Sequence, residues 1–182
     1  MTQTFSLSAT TLFGLEDVLA EELKSLGATK LRVQRRFVEF SGDQYLMYKA
    51  NLWCRTAIRI LKPIAYFTLH EEDDLYREIQ EIRWDKYITP QSTIAIDSFV
   101  HSSIFTHSLY VSQRTKDAIV DQMRDEKGIR PGVDLKDPDL RLNLHINQNK
   151  AVLSLDSSGD SLHKRGYRIQ TNTVPLNEVL AA

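Results

Sequence analysis

Residues 15–40, LEDVLAEELKSLGATKLRVQRRFVEF, establish the architecture of the first part of the chain. Leucine and valine side chains recur at helical spacing, and acidic residues crowd the first turns, where the helix dipole favours negative charge. We expect Gly27 to end this helix and Thr10 or Thr11 to cap its beginning. The runs at 30–34 and 36–40 alternate polar and apolar residues, which predicts paired strands.

The flanking residues extend this pattern in both directions. Residues 4–8 alternate as a strand, Asp43 is placed to cap a second helix, and residues 57–61 predict a fourth strand. Pro63 indicates that this strand loses its sheet partner there or lies at an edge. The order strand, helix, strand, strand, helix, strand predicts a ferredoxin-like βαββαβ domain over residues 1–66.

Composition excludes several classes of protein. The 182 residues are 42% hydrophobic and 26% charged, which is typical of a globular chain. The formal net charge of −1 argues against a uniformly cationic nucleic-acid coat. No window approaches the ~20 apolar residues of a membrane span. The single cysteine, Cys54, cannot form an internal disulfide, and we expect a cytoplasmic protein.

The balanced total conceals an uneven distribution of charge. Residues 1–62 carry a net +3, residues 63–160 a net −6 and residues 161–182 a net +2. A polyanion would therefore meet the first segment, the tail or a local patch. Five arginines of the first segment allow two interpretations, a binding surface or solvent-facing strand positions with stems packed on the sheet. They are Arg32, Arg35, Arg36, Arg55 and Arg59.

The second segment, residues 67–160, is predicted to be a mixed α/β unit. A helix starts at the acidic run 71–74, residues 93–100 form a strand, and residues 109–124 form the longest helix. Strands follow at 140–146 and 151–155. The fold class is therefore α+β, with the ferredoxin-like domain followed by this mixed unit. The four clustered carboxylates favour the helix dipole rather than a metal, because side chains around a helix diverge.

No motif of the chain predicts catalysis. The seven glycines form neither a G-x-G-x-x-G fingerprint nor a P-loop. His101 and His107 lack partners at metal-ligand spacing, and Cys54 has no histidine near it in sequence. We predict no catalytic residue, no metal site and no cofactor within these residues.

The tail contains a short cluster of cations around an aromatic residue. Residues 162–168 read LHKRGYR, a composition that suits a phosphate backbone with one stacking surface. The predicted contacts are His163, Lys164, Arg165, Tyr167 and Arg168. The same arginines allow a second interpretation, in which they tie the chain to an aspartate at 156 or 160.

Several stretches occur in an order that resembles a known family. They are residues 116–121 (KDAIVD), 128–131 (GIRP), 153–156 (LSLD), 162–168 (LHKRGYR) and 175–178 (PLNE), with Asp134, Pro138, Asp139, Ser158, Gly159 and residues 180–182 between or after them. In this order they resemble the N-terminal half of bacterial THUMP-containing RNA guanine-N2 methyltransferases that act on large-subunit ribosomal RNA. The match is strong over 115–182, and the first 66 residues agree through their ferredoxin-like pattern.

The resemblance implies a division of the chain and a partner. Residues 1–66 would be the ferredoxin-like domain, 67–165 the RNA-binding THUMP domain, and 166–182 a linker and the start of a methyltransferase domain. Residues 176–182 read as the opening of a helix, and in the family a Rossmann-like domain that binds S-adenosylmethionine follows. The expected partner is structured RNA, ribosomal rather than transfer RNA, with the catalytic domain in cis and no membrane.

The resemblance also suggests which cations hold the RNA. To the tail residues we add a second group, Arg114, Lys116 and Arg130. Such groups would anchor phosphates and position the RNA rather than read its bases. The alternative function is a protein-interaction or assembly module that pairs through sheet edges without RNA contact.

Overall fold

A computed structural model describes residues 3–89, 91–128, 130–164 and 177–181. The chain divides into two compact units. The first comprises Met1–Lys62 with Asp156–Ala182, and the second is Pro63–Leu155. The helices of the described part include none long and apolar enough to cross a membrane.

The first unit has the predicted ferredoxin-like order. Its elements are β1 (Phe5–Thr10), α1 (Glu16–Leu26), β2 (Thr29–Gln34), β3 (Phe37–Gly42), α2 (Gln44–Trp53) and the start of β4 (Arg59–Thr68). The strands lie in the order β2-β3-β1-β4, and the pairs β2–β3, β3–β1 and β1–β4 are all antiparallel. This interleaved order is that of the split βαβ arrangement, and the α+β fold class is confirmed.

The core of the first unit lies between the sheet and its two helices. Leu7 and Phe40 face each other across β1 and β3 and are buried, together with Leu19 and Leu23 of α1. Burial of such side chains contributes about 1.5–3 kcal/mol each. The alternating strand pattern and the helical spacing thus place their apolar residues on one shared face.

The ends of the helices test the predictions about caps. Gly27 has φ 104°, and its N–H donates to the last turn of α1 as predicted. The Asp43 carboxylate accepts from the Leu46 N–H at 2.8 Å, which confirms that cap. The cap predicted at Thr10 or Thr11 is wrong: Leu15 is the first cap position, and the Thr11 hydroxyl donates to a distant carbonyl instead.

The predicted fourth strand is longer in the structure. β4 continues through Pro63 to Thr68, and its register with β1 covers residues 59–61. Pro63 therefore lies beyond the residues that pair with β1. This fits its chemistry, because proline has no N–H to donate to a neighbouring strand.

The second unit combines parallel and antiparallel strands. It contains α3 (Glu72–Gln80), a short 3-10 turn (Trp84–Lys86), β5 (Thr93–His101), α4 (Ser108–Lys127), β6 (Gly132–Val133), β7 (Leu140–Asn147) and β8 (Lys150–Asp156). β5 pairs in parallel with β6 and β7, and β7 pairs antiparallel with β8. The helix α4 forms the crossover between parallel strands. The two-residue β6 escaped prediction because it is too short to show alternation.

The second core is built around large buried side chains. Trp84, Phe105 and Ile119 are almost completely buried, and the Trp84 indole N–H donates to the Ile79 carbonyl at 2.9 Å. Trp84 also meets the Tyr87 ring edge-on at a centroid distance of 6.1 Å. Trp84 is therefore a packing residue and has no exposed face on which a base could stack.

The acidic run at the start of α3 is used within the unit. Asp74 accepts from the N–H groups of His70 and Glu71, at 2.6 and 2.9 Å, and forms an ion pair with Arg77. Those backbone bonds, followed by the guanidinium, lower the pKa of Asp74 to about 2. The Asp74 carboxylate therefore caps the start of α3, and its contribution to the stability of the fold is lost in acid.

Candidate nucleic-acid interface

The residues after β8 fold against the first unit. Asp156 has a side chain only 1% exposed, and it forms an ion pair with Arg59. Arg59 also donates to the Gly159 carbonyl at 2.9 Å, and Leu162 packs against the first core. Residues 156–162 are thereby fixed, and they determine where the cationic tail begins.

A hydrogen-bonded network from α2 holds the two serines of this segment. The Asn51 amide donates to Ser157 Oγ at 2.9 Å, and Ser158 Oγ donates to the Asn51 carbonyl oxygen at 2.7 Å. Ser157 Oγ donates to the Ile60 carbonyl, and the Ile60 N–H donates to Ser158 Oγ, both at 2.8 Å. These contacts join residues about a hundred positions apart, so no local pattern predicts them.

Two predicted RNA contacts follow this anchored segment directly. Lys164 is exposed, and its N–H donates to the Ser161 carbonyl at 2.9 Å. His163 Nδ1 lies 2.7 Å from Ser161 Oγ. The structure therefore presents the Lys164 ammonium to solvent from a fixed turn. The other predicted contacts of the tail lie outside the described residues: Arg165, Tyr167 and Arg168.

Arg114 is engaged within the second unit. Its guanidinium lies over the Tyr76 ring at 4.4 Å from the centroid and donates to the Asp73 carboxylate at 2.9 Å. The Tyr76 hydroxyl in turn donates to Asp121 at 2.7 Å, a bond that raises the pKa of Tyr76. Arg114 thus joins α3 to α4, and a phosphate would have to compete with its existing partners.

The other two cations of this group differ from each other. The Lys116 ammonium forms an ion pair with Asp117 at 2.7 Å. Arg130 follows the left-handed Gly128 that ends α4, is exposed, and forms no ion pair with another described residue. Arg130 is therefore the member of this group that a phosphate could reach without breaking a contact.

The five arginines of the first segment separate into two sets. Arg55 forms an ion pair with Glu22 at 3.3 Å, and Arg59 holds Asp156, so both stabilise the fold. The other three are exposed in the β2–β3 hairpin and form no ion pair within the described part of the chain: Arg32, Arg35 and Arg36. Sequence reasoning could not separate these sets, because the acidic partners are distant along the chain.

One exposed aromatic residue beside these arginines was not predicted as a contact. Phe13 is 67% exposed, and the Arg35 guanidinium lies 5.4 Å from its ring centroid. The only available signal was a phenylalanine in the loop between a strand and a helix, next to Gly14.

Two family models match the chain in sequence order. The model described as the RlmL ferredoxin-like domain matches residues 6–61, and the THUMP domain model matches residues 70–156. The resemblance stated from the ordered motifs is thereby confirmed. The matched ranges together cover most of the two units.

Two similar proteins share the same name. The chain is 44% identical over 174 residues to Ribosomal RNA large subunit methyltransferase K/L of Syntrophotalea carbinolica. The aligned residues cover 96% of this chain and 24% of that protein. It is 42% identical over 182 residues to the protein of that name from Methylococcus capsulatus, of which it covers 25%. The chain thus spans about a quarter of the length of these curated relatives.

A solved structure shares the fold over the whole chain. It is titled "SMU.472, a putative methyltransferase complexed with SAH". The similarity has a TM-score of 0.82 and 27% identity, and it covers all of this chain and 48% of that one.

Proposed function

Because this chain carries an RlmL ferredoxin-like domain followed by a THUMP domain, we propose that it is the RNA-binding, substrate-positioning region of a methyltransferase. The enzyme would be S-adenosylmethionine-dependent, would act on the guanine N2 of large-subunit ribosomal RNA, and would work in the cytoplasm. The observation that carries the proposal is the ordered match of both domains, together with relatives named for ribosomal RNA methylation.

The role of this region is to hold the RNA while chemistry occurs elsewhere. Localised cations anchor phosphates and fix the orientation of the RNA without reading its bases. A catalytic domain in cis would bind S-adenosylmethionine and transfer the methyl group; the SAH complex of a structurally similar methyltransferase supports that cofactor. The division of the chain at residues 66 and 165, inferred from the motifs, is part of this proposal.

The geometry ranks the proposed RNA contacts. Lys164 and Arg130 are exposed and form no ion pair with another described residue, so they bind phosphate at the lowest cost. Arg114 and Lys116 contribute less, since each already holds a carboxylate. His163 lies next to Lys164 in the sequence and is the other proposed contact of the 162–168 cluster within the described residues.

A charge-neutralising variant of the tail tests this proposal. Lys164→Gln, Arg165→Gln and Arg168→Gln together remove three cations, and each lost phosphate contact lowers the slope of log K against log[salt] by about 0.7–0.9. We expect the slope for a transcribed fragment of large-subunit ribosomal RNA to fall by about 2. A transfer RNA transcript measures the preference for ribosomal RNA.

The matched control removes three cations from exposed ion pairs elsewhere. They are Lys24, Arg77 and Arg83, each changed to Gln. Equal loss of affinity in the two triple variants would show that only total charge matters, and would contradict a localised site.

One observation favours the alternative of an assembly module. Helix α2 exposes aromatic side chains on its outer face, with Tyr45 73% and Trp53 69% exposed. Exposed apolar patches of this kind mark protein contacts. Sedimentation at increasing concentration, with Trp53→Gln as the variant, distinguishes self-association from a monomer.

A further inference from the structure

We call three exposed arginines of the β2–β3 hairpin and one exposed aromatic ring the hairpin patch: Phe13, Arg32, Arg35 and Arg36. Arg32 lies in β2, the other two arginines form the turn into β3, and Phe13 lies in the loop between β1 and α1. The Arg35–Phe13 contact of 5.4 Å joins the loop to the turn. All four residues belong to the first unit and lie away from the tail in sequence.

Backbone hydrogen bonds hold the two loops of the hairpin patch together. Glu16 Oε1 accepts from the Arg36 N–H at 2.8 Å, and Oε2 accepts from the Gly14 N–H at 2.7 Å. The Thr11 N–H donates to the Arg36 carbonyl at 2.8 Å. These bonds lower the pKa of Glu16, so the carboxylate stays charged and the connection persists at neutral pH. The backbone of the loop and that of the turn are therefore held together at neutral pH, and the Arg35–Phe13 contact lies on this connection.

The residue at the turn is unusual for its conformation. Arg36 has φ 68°, in the left-handed region that glycine and asparagine adopt readily. A residue with a β-carbon is strained in this conformation. Glycine would adopt the same conformation without that strain.

The charges around the hairpin patch leave the guanidinium groups available. Glu39 lies opposite Arg32 in the β2–β3 register, yet no ion pair joins them. Glu16 is occupied by backbone donors, with Arg35 close enough to stabilise its charge. The next acidic residue along the chain, Asp17, is exposed on α1 and forms no ion pair with a described arginine of the patch.

The chemistry of this surface matches an unpaired nucleic-acid strand. Guanidinium groups bind phosphate oxygens in a bidentate manner. A base stacks on an exposed aromatic ring, and this is sequence-tolerant because every base has a flat π face. We propose that the hairpin patch binds a single-stranded segment of RNA, with phosphates on the arginines and one base on Phe13. This inference rests on the proposed function and adds a second RNA contact to it.

A binding experiment on the full chain tests the ring separately from the charges. The probes are a fluorescein-labelled 12-nucleotide single-stranded RNA without self-complementarity and a 12-base-pair RNA duplex, measured by anisotropy. Phe13→Ala should weaken binding of the single strand about tenfold. Its effect on the duplex should be small, and Phe13→Trp should restore binding. Because Phe13 is mostly exposed, its replacement leaves the core intact, and a circular dichroism melt checks this.

Neutralising the arginines tests the phosphate contacts. Arg32→Gln, Arg35→Gln and Arg36→Gln together should lower the salt slope for the single strand by about 2. The control is the triple variant at Lys24, Arg77 and Arg83, which should leave the slope near that of the unmodified chain.

The outcomes separate this inference from the proposed function. If the unmodified chain binds RNA and the tail variant weakens it, but the hairpin-patch variants do not, this inference alone is overturned. If the unmodified chain binds neither RNA in dilute buffer, the proposed function fails as well. If polyglutamate competes as well as RNA and Phe13→Ala changes nothing, the patch binds acidic protein and the inference is overturned.

Discussion

The network around Asn51 gives a prediction whose size follows from its contacts. Asn51→Ala removes two hydrogen bonds to the serines at 157 and 158, of 2.9 and 2.7 Å, which link α2 to the segment before the tail. It also removes a bond within α2 to the Met47 carbonyl at 2.9 Å. A neutral hydrogen bond contributes a net ~1 kcal/mol, so the variant should lose about 2–3 kcal/mol of unfolding free energy. Both serine oxygens keep a bond to Ile60, and both serines are only half-buried, so water can replace the lost partner and the loss stays near this value.

Two measurements check the Asn51 prediction. Urea unfolding followed by circular dichroism gives the free energy, and hydrogen exchange locates the change. The Ile60 N–H should exchange faster because its acceptor, Ser158 Oγ, lies in the segment that the variant loosens. The Leu162 N–H should also exchange faster because Leu162 itself lies in that segment and donates to the Ile58 carbonyl. The control Asn147→Ala alters an exposed residue of β7 and should change stability by no more than about 0.5 kcal/mol. A loss equal to that of the control, with exchange unchanged, would refute the anchoring role.

Three further substitutions test the local physical arguments. Asp74→Asn should flatten the pH dependence of stability. The pKa of Asp74 in the folded state is about 2, below the ordinary 3.8, so its stabilising contribution is present above pH ~4 and is lost as the pH falls towards 2. Unfolding measured over an acid titration will show this. Gly42→Ala should cost about 1–3 kcal/mol in urea unfolding, since the new methyl group meets the buried Leu46 side chain. Tyr76→Phe should cost about 1 kcal/mol through loss of the bond to Asp121, with a normal circular dichroism spectrum.

The fold was largely predictable because its signals are local. Gly27 and Asp43 marked their helix ends correctly, and alternation identified the long strands. The cap at Thr10 or Thr11 failed because the Thr11 hydroxyl is recruited by Thr56, 45 residues away. Local patterns carry no information about such partners.

The candidate interface was less predictable than the fold for the same reason. Arg59 and Arg35 look alike in sequence, but Asp156 engages the first across 97 residues, whereas the second remains exposed beside Phe13. Arg114 was predicted as an RNA contact, and its ion pair with Asp73 across the two helices was visible only in the structure. Charge composition therefore located basic segments without identifying which cations are available to a ligand.

Ultraviolet cross-linking of the full chain to a transcribed large-subunit ribosomal RNA fragment, with mass spectrometry of the joined peptides, tests RNA holding most directly. We expect cross-linked peptides that contain residues 162–168 and Phe13, with yields that fall as salt rises. Cross-links confined to the outer face of α2, or none in dilute buffer, would contradict it.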